Sequence, residues 1–251
     1  MTRWWRRPAR APRGLRAAIA VILAGLSLGL LAAGGAPAQD QATTQGKVLF
    51  ERGCSSCHGA DLRGIPGRGP NLRGVGEASA DFYIRTGRMP LRDPQQQPLR
   101  TQSPYTKAQQ DALIAYVGSF GGPGIPAADP ARGDLADGLR LFGEYCMGCH
   151  QVVAQGGITT TGIAPDLQSS SPTDVAEAVH VGPYVMPTFP QLTPSDVDSL
   201  ARYVTYTRDP EDIGGWGIGH IGPIPEGMVA WLLAGVALLL VIRLIGERTS
   251  E

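Results

Sequence analysis

Two continuous apolar runs bracket a chain whose middle is apolar only in short, periodic steps. The first run, residues 17–33, follows Arg3, Arg6, Arg7, Arg10, Arg13 and Arg16 with no acid among them. That arrangement reads as a signal peptide or an uncleaved N-terminal membrane anchor over residues 1–40, with Ala36-Pro37-Ala38 an acceptable cleavage site. On either reading the positive flank stays cytoplasmic and the following residues lie on the extracytoplasmic side. The second run, GMVAWLLAGVALLLVIRLI from residue 227, predicts a transmembrane helix over 227–246 with a cytoplasmic tail, 247–251. Trp231 falls near its outer rim and Arg243 near its end, where a long side chain reaches back to the interface.

Between the runs, helical spacing appears twice. Leu113, Tyr116, Val117 and Phe120 recur behind Thr106, with Gln109 three residues on as a capping box. Val197, Leu200, Ala201 and Val204 recur behind Thr193-Pro194, with proline at the first helical position. These two helices close two copies of one unit. Gly46, Leu49-Phe50, Cys54 and Cys57-His58 reappear as Gly138, Leu141-Phe142, Cys146 and Cys149-His150 at an offset of 92. Pro70-Asn71-Leu72 then answers to Pro165-Asp166-Leu167, and Met89-Pro90 to Met186-Pro187, the spacing drifting as loop insertions would make it drift. The predicted organisation is a first domain over 41–122, a Gly/Pro linker over 123–132, a second domain over 133–210 and a pre-membrane segment over 211–226. Each domain reads as short helices joined by long loops, so the fold class is mostly α.

Composition sharpens this. Gly and Pro supply 55 of 251 residues and aromatics only 6%, so two small domains have little bulk of their own to bury. A large apolar prosthetic group would supply it. Without the first sixteen and last nine residues, 14 basic and 20 acidic groups remain, and nothing suggests nucleic-acid binding. The two copies differ in charge: 10 basic and 6 acidic residues over 41–122, against 3 and 9 over 133–210. Such divergence points to different partners for the two domains, testable by charge reversal at Asp196 and Asp198.

All four cysteines lie in two Cys-x-x-Cys-His runs, Cys54/Cys57/His58 and Cys146/Cys149/His150. This is the c-type haem attachment signature, in which two thiols bond the haem vinyl groups and the histidine ligates iron. A disulfide framework does not explain the two histidines, a Cys₂His₂ zinc site spaces them otherwise, and a thioredoxin-like pair needs neither. Two covalently bound haem c groups are expected. Met89 and Met186 are the candidate sixth ligands, each preceding proline at the same stage of the repeat; either could instead be core filling. His180 and His220 are the remaining histidines, with His180 assigned to a propionate or solvent rather than to iron. The carbonyls of Pro70 and Pro165 are the candidate acceptors for the second ring nitrogen of each axial histidine, their alternative being plain turn formation.

The paired Cys-x-x-Cys-His, Pro-x-Leu and Met-Pro elements resemble class I cytochrome c domains. Followed by Gly214-Gly215-Trp216-Gly217-Ile218-Gly219, by Gly222-Pro223-Ile224-Pro225-Glu226-Gly227 and by one terminal span, they resemble the dihaem cytochrome c subunit of the actinobacterial cytochrome bc1 complex. The resemblance implies a cell-membrane subunit of a menaquinol–cytochrome c reductase, with cytochrome b, a Rieske iron–sulfur protein and membrane lipid as partners. It further implies delivery to the copper centre of an aa3-type cytochrome c oxidase. The chain itself would carry electrons without a substrate pocket. The other readings are a dihaem subunit of a different membrane oxidase or dehydrogenase complex, and a dihaem enzyme with an open iron site.

Overall fold

The computed structural model describes residues 36–210 and 223–248. Residues 1–35, the stretch 211–222 with His220, and residues 249–251 lie outside the described residues, as do the expectations placed on them. In chain order the elements are α1 (Ala36–Gly53), α2 (Ser55–His58), α3 (Gly76–Arg85) and α4 (Lys107–Gly118), then α5 (Leu135–Tyr145) and α6 (Met147–His150). A hairpin of β1 (Gly157–Thr159) and β2 (Gly162–Ala164), α7 (Pro172–Val181), α8 (Pro194–Tyr206) and α9 (Pro223–Arg248) complete the order. The chain is mostly helical. The hairpin departs from the expected loops, pairing Gly157 with Ala164, Ile158 with Ile163 and Thr159 with Gly162 in antiparallel register.

Contacts divide the chain into two compact units. The first holds the described residues up to Pro126 together with His180–Thr188; the second holds Ala127–Val179 and those from Phe189 onward.

Each unit is built on one crossing of two helices, and glycine makes both crossings possible. A Cβ on Gly46 of α1 would stand 2.0 Å from the Ala112 carbonyl oxygen and 2.7 Å from the Tyr116 Cβ of α4. A Cβ on Gly138 of α5 would stand 2.2 Å from the Ser199 carbonyl oxygen and 2.9 Å from the Tyr203 Cβ of α8. The same aromatic pair flanks each crossing: Phe50 on Tyr116 at 5.5 Å between ring centroids, Phe142 on Tyr203 at 5.0 Å. Around the first gather Leu62, Leu113, Ile114 and Val117, all buried. In the second unit Leu141, Val197, Leu200 and Val204 are likewise buried.

The closing helices start where their caps dictate. The Thr106 N–H donates to Gln109 Oε1 at 2.9 Å while its hydroxyl accepts from the Gln109 N–H. Thr193 and Asp196 repeat the box at α8, with Pro194 inside it. Asp196 is therefore a cap, and Asp198 is buried: its carboxylate accepts from the Asp129 N–H at 2.7 Å and from Arg132 Nε at 3.1 Å. Neither is a surface charge to be reversed freely, which corrects their choice as docking probes. The expected linker is tied at both ends. Pro123 presents its carbonyl to the Ala78 N–H of the first unit, whereas Asp129 and Arg132 are held by Asp198 of the second.

At the C-terminus, Glu226–Glu247 forms a 22-residue stretch of mean hydropathy 2.5, exposed from Met228 onward. At 1.5 Å per residue it is about 33 Å long, enough to cross a hydrocarbon core of about 30 Å. Arg243 donates through Nε to Glu247 Oε1 at 2.9 Å, one helical turn on.

Candidate haem centres

The first centre grows out of the end of α1. Cys54 leaves that helix with its N–H donating to the Phe50 carbonyl, and α2 winds one further turn in which the His58 N–H donates to the Cys54 carbonyl at 2.9 Å. Positions i, i+3 and i+4 of one turn share a face, so Cys54, Cys57 and His58 are presented together. His58 is 9% exposed, and its Nδ1 lies 3.0 Å from the Pro70 carbonyl oxygen. A carbonyl only accepts, so Nδ1 carries the proton and the Nε2 lone pair is left for a metal. Two features hold that carbonyl in place. Gly64, at φ 81°, packs so tightly that a Cβ would stand 2.6 Å from the Pro70 carbonyl carbon. The buried Leu62, at φ 64°, accepts from the Leu72 N–H at 2.8 Å.

The second centre repeats this bond for bond. His150 is 7% exposed, with Nδ1 3.0 Å from the Pro165 carbonyl oxygen. Gly156, at φ 71°, would place a Cβ 2.5 Å from the Pro165 carbonyl carbon, and its N–H donates to the His150 carbonyl at 2.9 Å. The buried Ala154, at φ 59°, accepts from the Leu167 N–H as Leu62 does from Leu72. Between Gly156 and Pro165 the chain folds as the β1–β2 hairpin; between Gly64 and Pro70 a single bridge, Ile65 to Gly69, suffices. Gly64, Gly156, Leu62 and Ala154 carry no chemical signal in the sequence, although both pairs keep the offset of 92 that marks the repeat.

Electrostatics separates these cysteines from a dithiol redox pair. Burial pushes the Cys54 and Cys146 thiols up to about 11, whereas a reactive Cys-x-x-Cys thiol is shifted down by a nearby positive group. None of the four cysteines is in a disulfide, and among the described residues no cluster of three or more His, Cys, Asp or Glu is set to hold a metal ion. Burial lowers the His150 pKa, against the opposing bond to Pro165, which favours the neutral ligating form. Paired thiols, a tautomer-fixed imidazole and a small apolar unit fit covalent haem and do not fit zinc.

The two methionines occupy loops pinched at the base. The Thr101 N–H donates to the Thr86 carbonyl at 3.1 Å, closing the excursion that carries the half-buried Met89. The Phe189 N–H donates to the Val179 carbonyl at 3.0 Å, closing the excursion that carries the half-buried Met186. Met89 belongs to the same unit as His58. Met186 lies in the segment His180–Thr188, which groups with the first unit, whereas His150 belongs to the second. His180 is exposed at the end of α7. Arg85, its counterpart in the first copy, is engaged by Asp81 and by Asp111 at 2.7 Å.

Comparison with known proteins agrees with this duplicated geometry. Residues 43–120 match the family described as "Cytochrome c", and residues 133–204 the family described as "Cytochrome C oxidase, cbb3-type, subunit III". A "Cytochrome bc1 complex cytochrome c subunit" of Mycobacterium bovis is 38% identical over 216 residues, 81% of this chain and 77% of that protein. Proteins of the same description from Corynebacterium diphtheriae and Mycobacterium leprae are 34% and 37% identical, covering 82% and 81% of this chain and 80% and 74% of theirs. Likeness of this degree runs through both haem-type units, and the chain belongs to the family of cytochrome bc1 complex cytochrome c subunits.

Proposed function

We propose that this chain is the dihaem electron-transfer subunit of a respiratory menaquinol–cytochrome c reductase. It takes electrons from a Rieske iron–sulfur protein and passes them to the copper-centre subunit of an aa3-type cytochrome c oxidase. The observation that carries the reading is the repeated bond from histidine Nδ1 to a proline carbonyl, 3.0 Å at both His58 and His150, beside a thiol pair on the same helical turn. Each haem, once bound, supplies a one-electron iron couple. The rest is done by this chain's own residues. Cys54 and Cys57, and Cys146 and Cys149, fix the cofactors as thioethers. His58 and His150 present Nε2 to iron, held at one angle by Pro70 and Pro165. Met89 and Met186 would hold the iron together with those histidines, and a thioether beside imidazole in the ligand set would raise the potential. Iron held by a histidine and a methionine of this chain would have no position left for substrate, and the chain would act as a carrier inside an oxidoreductase. The apolar helix α9 anchors it with the haem domains outside and the C-terminus in the cytoplasm.

Purification of the tagged full chain in mild detergent tests this. Cytochrome b, Rieske and oxidase subunits should accompany it, and pyridine haemochrome should give two c-type haems per chain. A chain that comes away with a different dehydrogenase or oxidase, or with one haem, would overturn the reading.

A further inference from the structure

The two copies share their axial histidine geometry but not the charge beside the methionine. In the first, Arg88 immediately precedes Met89 and is 8% exposed. Its guanidinium carbon sits 4.5 Å from the centroid of the Phe82 ring, itself 3% exposed on α3. A cation over a ring face within about 6 Å is attracted by the ring's quadrupole, which helps to hold it out of water. In the second copy neither half exists. Aligned on Met-Pro, Arg88 becomes Val185, which is 52% exposed. With Arg85 matched to His180 as above, Phe82 becomes Glu177.

We propose that Arg88 is a positioning residue for redox potential: its buried cation raises the potential of the first haem, and the second haem has no counterpart. The inference rests on the reading of Met89 as an iron ligand. The physical reason is that reduction adds a negative charge at iron, and a fixed cation nearby favours that state. Arg88 is the chain neighbour of Met89, and for scale its charge is taken at about 12 Å from the iron. At that distance, in an effective dielectric of about 20, a unit charge shifts a one-electron equilibrium roughly tenfold. An exposed side chain at the Val185 position would be screened by water and salt, and a valine carries no charge at all.

The test is a spectroelectrochemical titration of the detergent-solubilised dihaem protein, with Arg88→Gln, Arg88→Met and Arg88→Lys beside the wild type. The charge-removing variants should lower one of the two one-electron waves by about tenfold in equilibrium constant, about 59 mV for one electron, and leave the other in place. Arg88→Lys should restore most of the wild-type position, which a role in packing alone would not predict. Unmoved waves in Arg88→Gln and Arg88→Met, or an Arg88→Lys wave displaced as far as theirs, would overturn the proposal. If the charge-removing variants do not accumulate with haem, Arg88→Lys decides alone: a wild-type potential supports the proposal and a tenfold drop sinks it. The methionine–iron(III) absorption band is read on the same samples. Its absence for the first haem of the wild type would break the ligand reading on which the proposal rests, an outcome distinct from unmoved waves in a protein that keeps the band.

Discussion

Gly138 and Gly143 lie five residues apart in α5, and alanine should act on them in opposite directions. At Gly138 the new methyl would come within 2.2 Å of the Ser199 carbonyl oxygen and 2.9 Å of its carbon, both backbone atoms of α8. Real Cβ atoms essentially never approach closer than 3.0 Å, so the two helices must part by roughly 1 Å. A gap of that size forfeits a quarter to a half of each dispersion contact along the seam where Phe142 meets Tyr203. Adding the strain of overpacking, typically about 1–3 kcal/mol, the loss should be about 3 kcal/mol. In a unit of this size each kcal/mol moves Tm by about 4–8 °C, so the second unit should melt at least about 10 °C lower. At Gly143 nothing lies within 4 Å of an added methyl, and alanine should stabilise the helix by about 0.5–1 kcal/mol. Calorimetry on the detergent-solubilised, haem-loaded protein reads both. A Gly138→Ala protein melting with the wild type, or a Gly143→Ala protein falling as far, would show that the crossing does not hold the unit together.

Other outcomes follow from the same geometry. Met89→Ala and Met186→Ala should each abolish the methionine–iron band of one haem and lower one potential without loss of covalent haem, measured by absorption and redox titration; an unchanged spectrum would remove that methionine from the ligand set. The Asp198 carboxyl is held below the usual carboxylate range, chiefly by the Asp129 N–H and also by Arg132, with burial opposing. Its stabilisation is present above the unfolded pKa of about 3.9 and is lost as pH falls through the lower folded value. The wild-type second unit should therefore lose stability below about pH 4, and Asp198→Asn should flatten that part of the profile in acid denaturation. Because Asp196 and Asp198 are structural, the docking field is better probed at Asp137 and Glu144, both exposed. Reversing them should slow electron delivery to the oxidase in stopped-flow measurements, with the defect shrinking at high salt, and should leave quinol reduction intact.

The sequence was most legible where chemistry and periodicity coincide. Thr106 with Gln109 named its own helix start, because a capping box is a local device written in adjacent residues. The thiol pairs named theirs because a covalent attachment demands a fixed spacing. What stayed hidden depended on distant partners. Gly46 and Gly138 were visible as repeated glycines, yet their role is set by backbone 66 and 61 residues away, at Ala112 and Ser199. The β1–β2 hairpin was hidden for another reason. Its two strands have three residues each and are joined by Thr160-Thr161, with neither a sustained alternation nor an Asn-Gly or Asp-Gly turn to announce them. The acids Asp196 and Asp198 misled because formal charge says nothing about burial: one caps α8 and the other fastens the segment before α5.

Those hidden features bear on how the two copies divided their work. Everything that orients the axial histidine is kept: the crossing glycine, the left-handed Leu62 or Ala154, the glycine two residues on, and the proline carbonyl. A misplaced imidazole would spoil either centre, so both copies carry the same constraint. Two of the differences lie in the excursions around that frame. The first copy has a buried Arg88 over Phe82 beside its methionine, and the second a hairpin that leaves Ile158 93% exposed next to the strand leading to Pro165. On the proposed reading of Met89 the cation acts on potential, whereas an exposed apolar side chain acts on contact. Added to opposite net charges, these differences make the copies non-interchangeable. Swapping the sequence between Gly156 and Pro165 for the shorter one between Gly64 and Pro70 should accordingly spare His150 ligation, because both loops deliver the carbonyl to the same 3.0 Å bond.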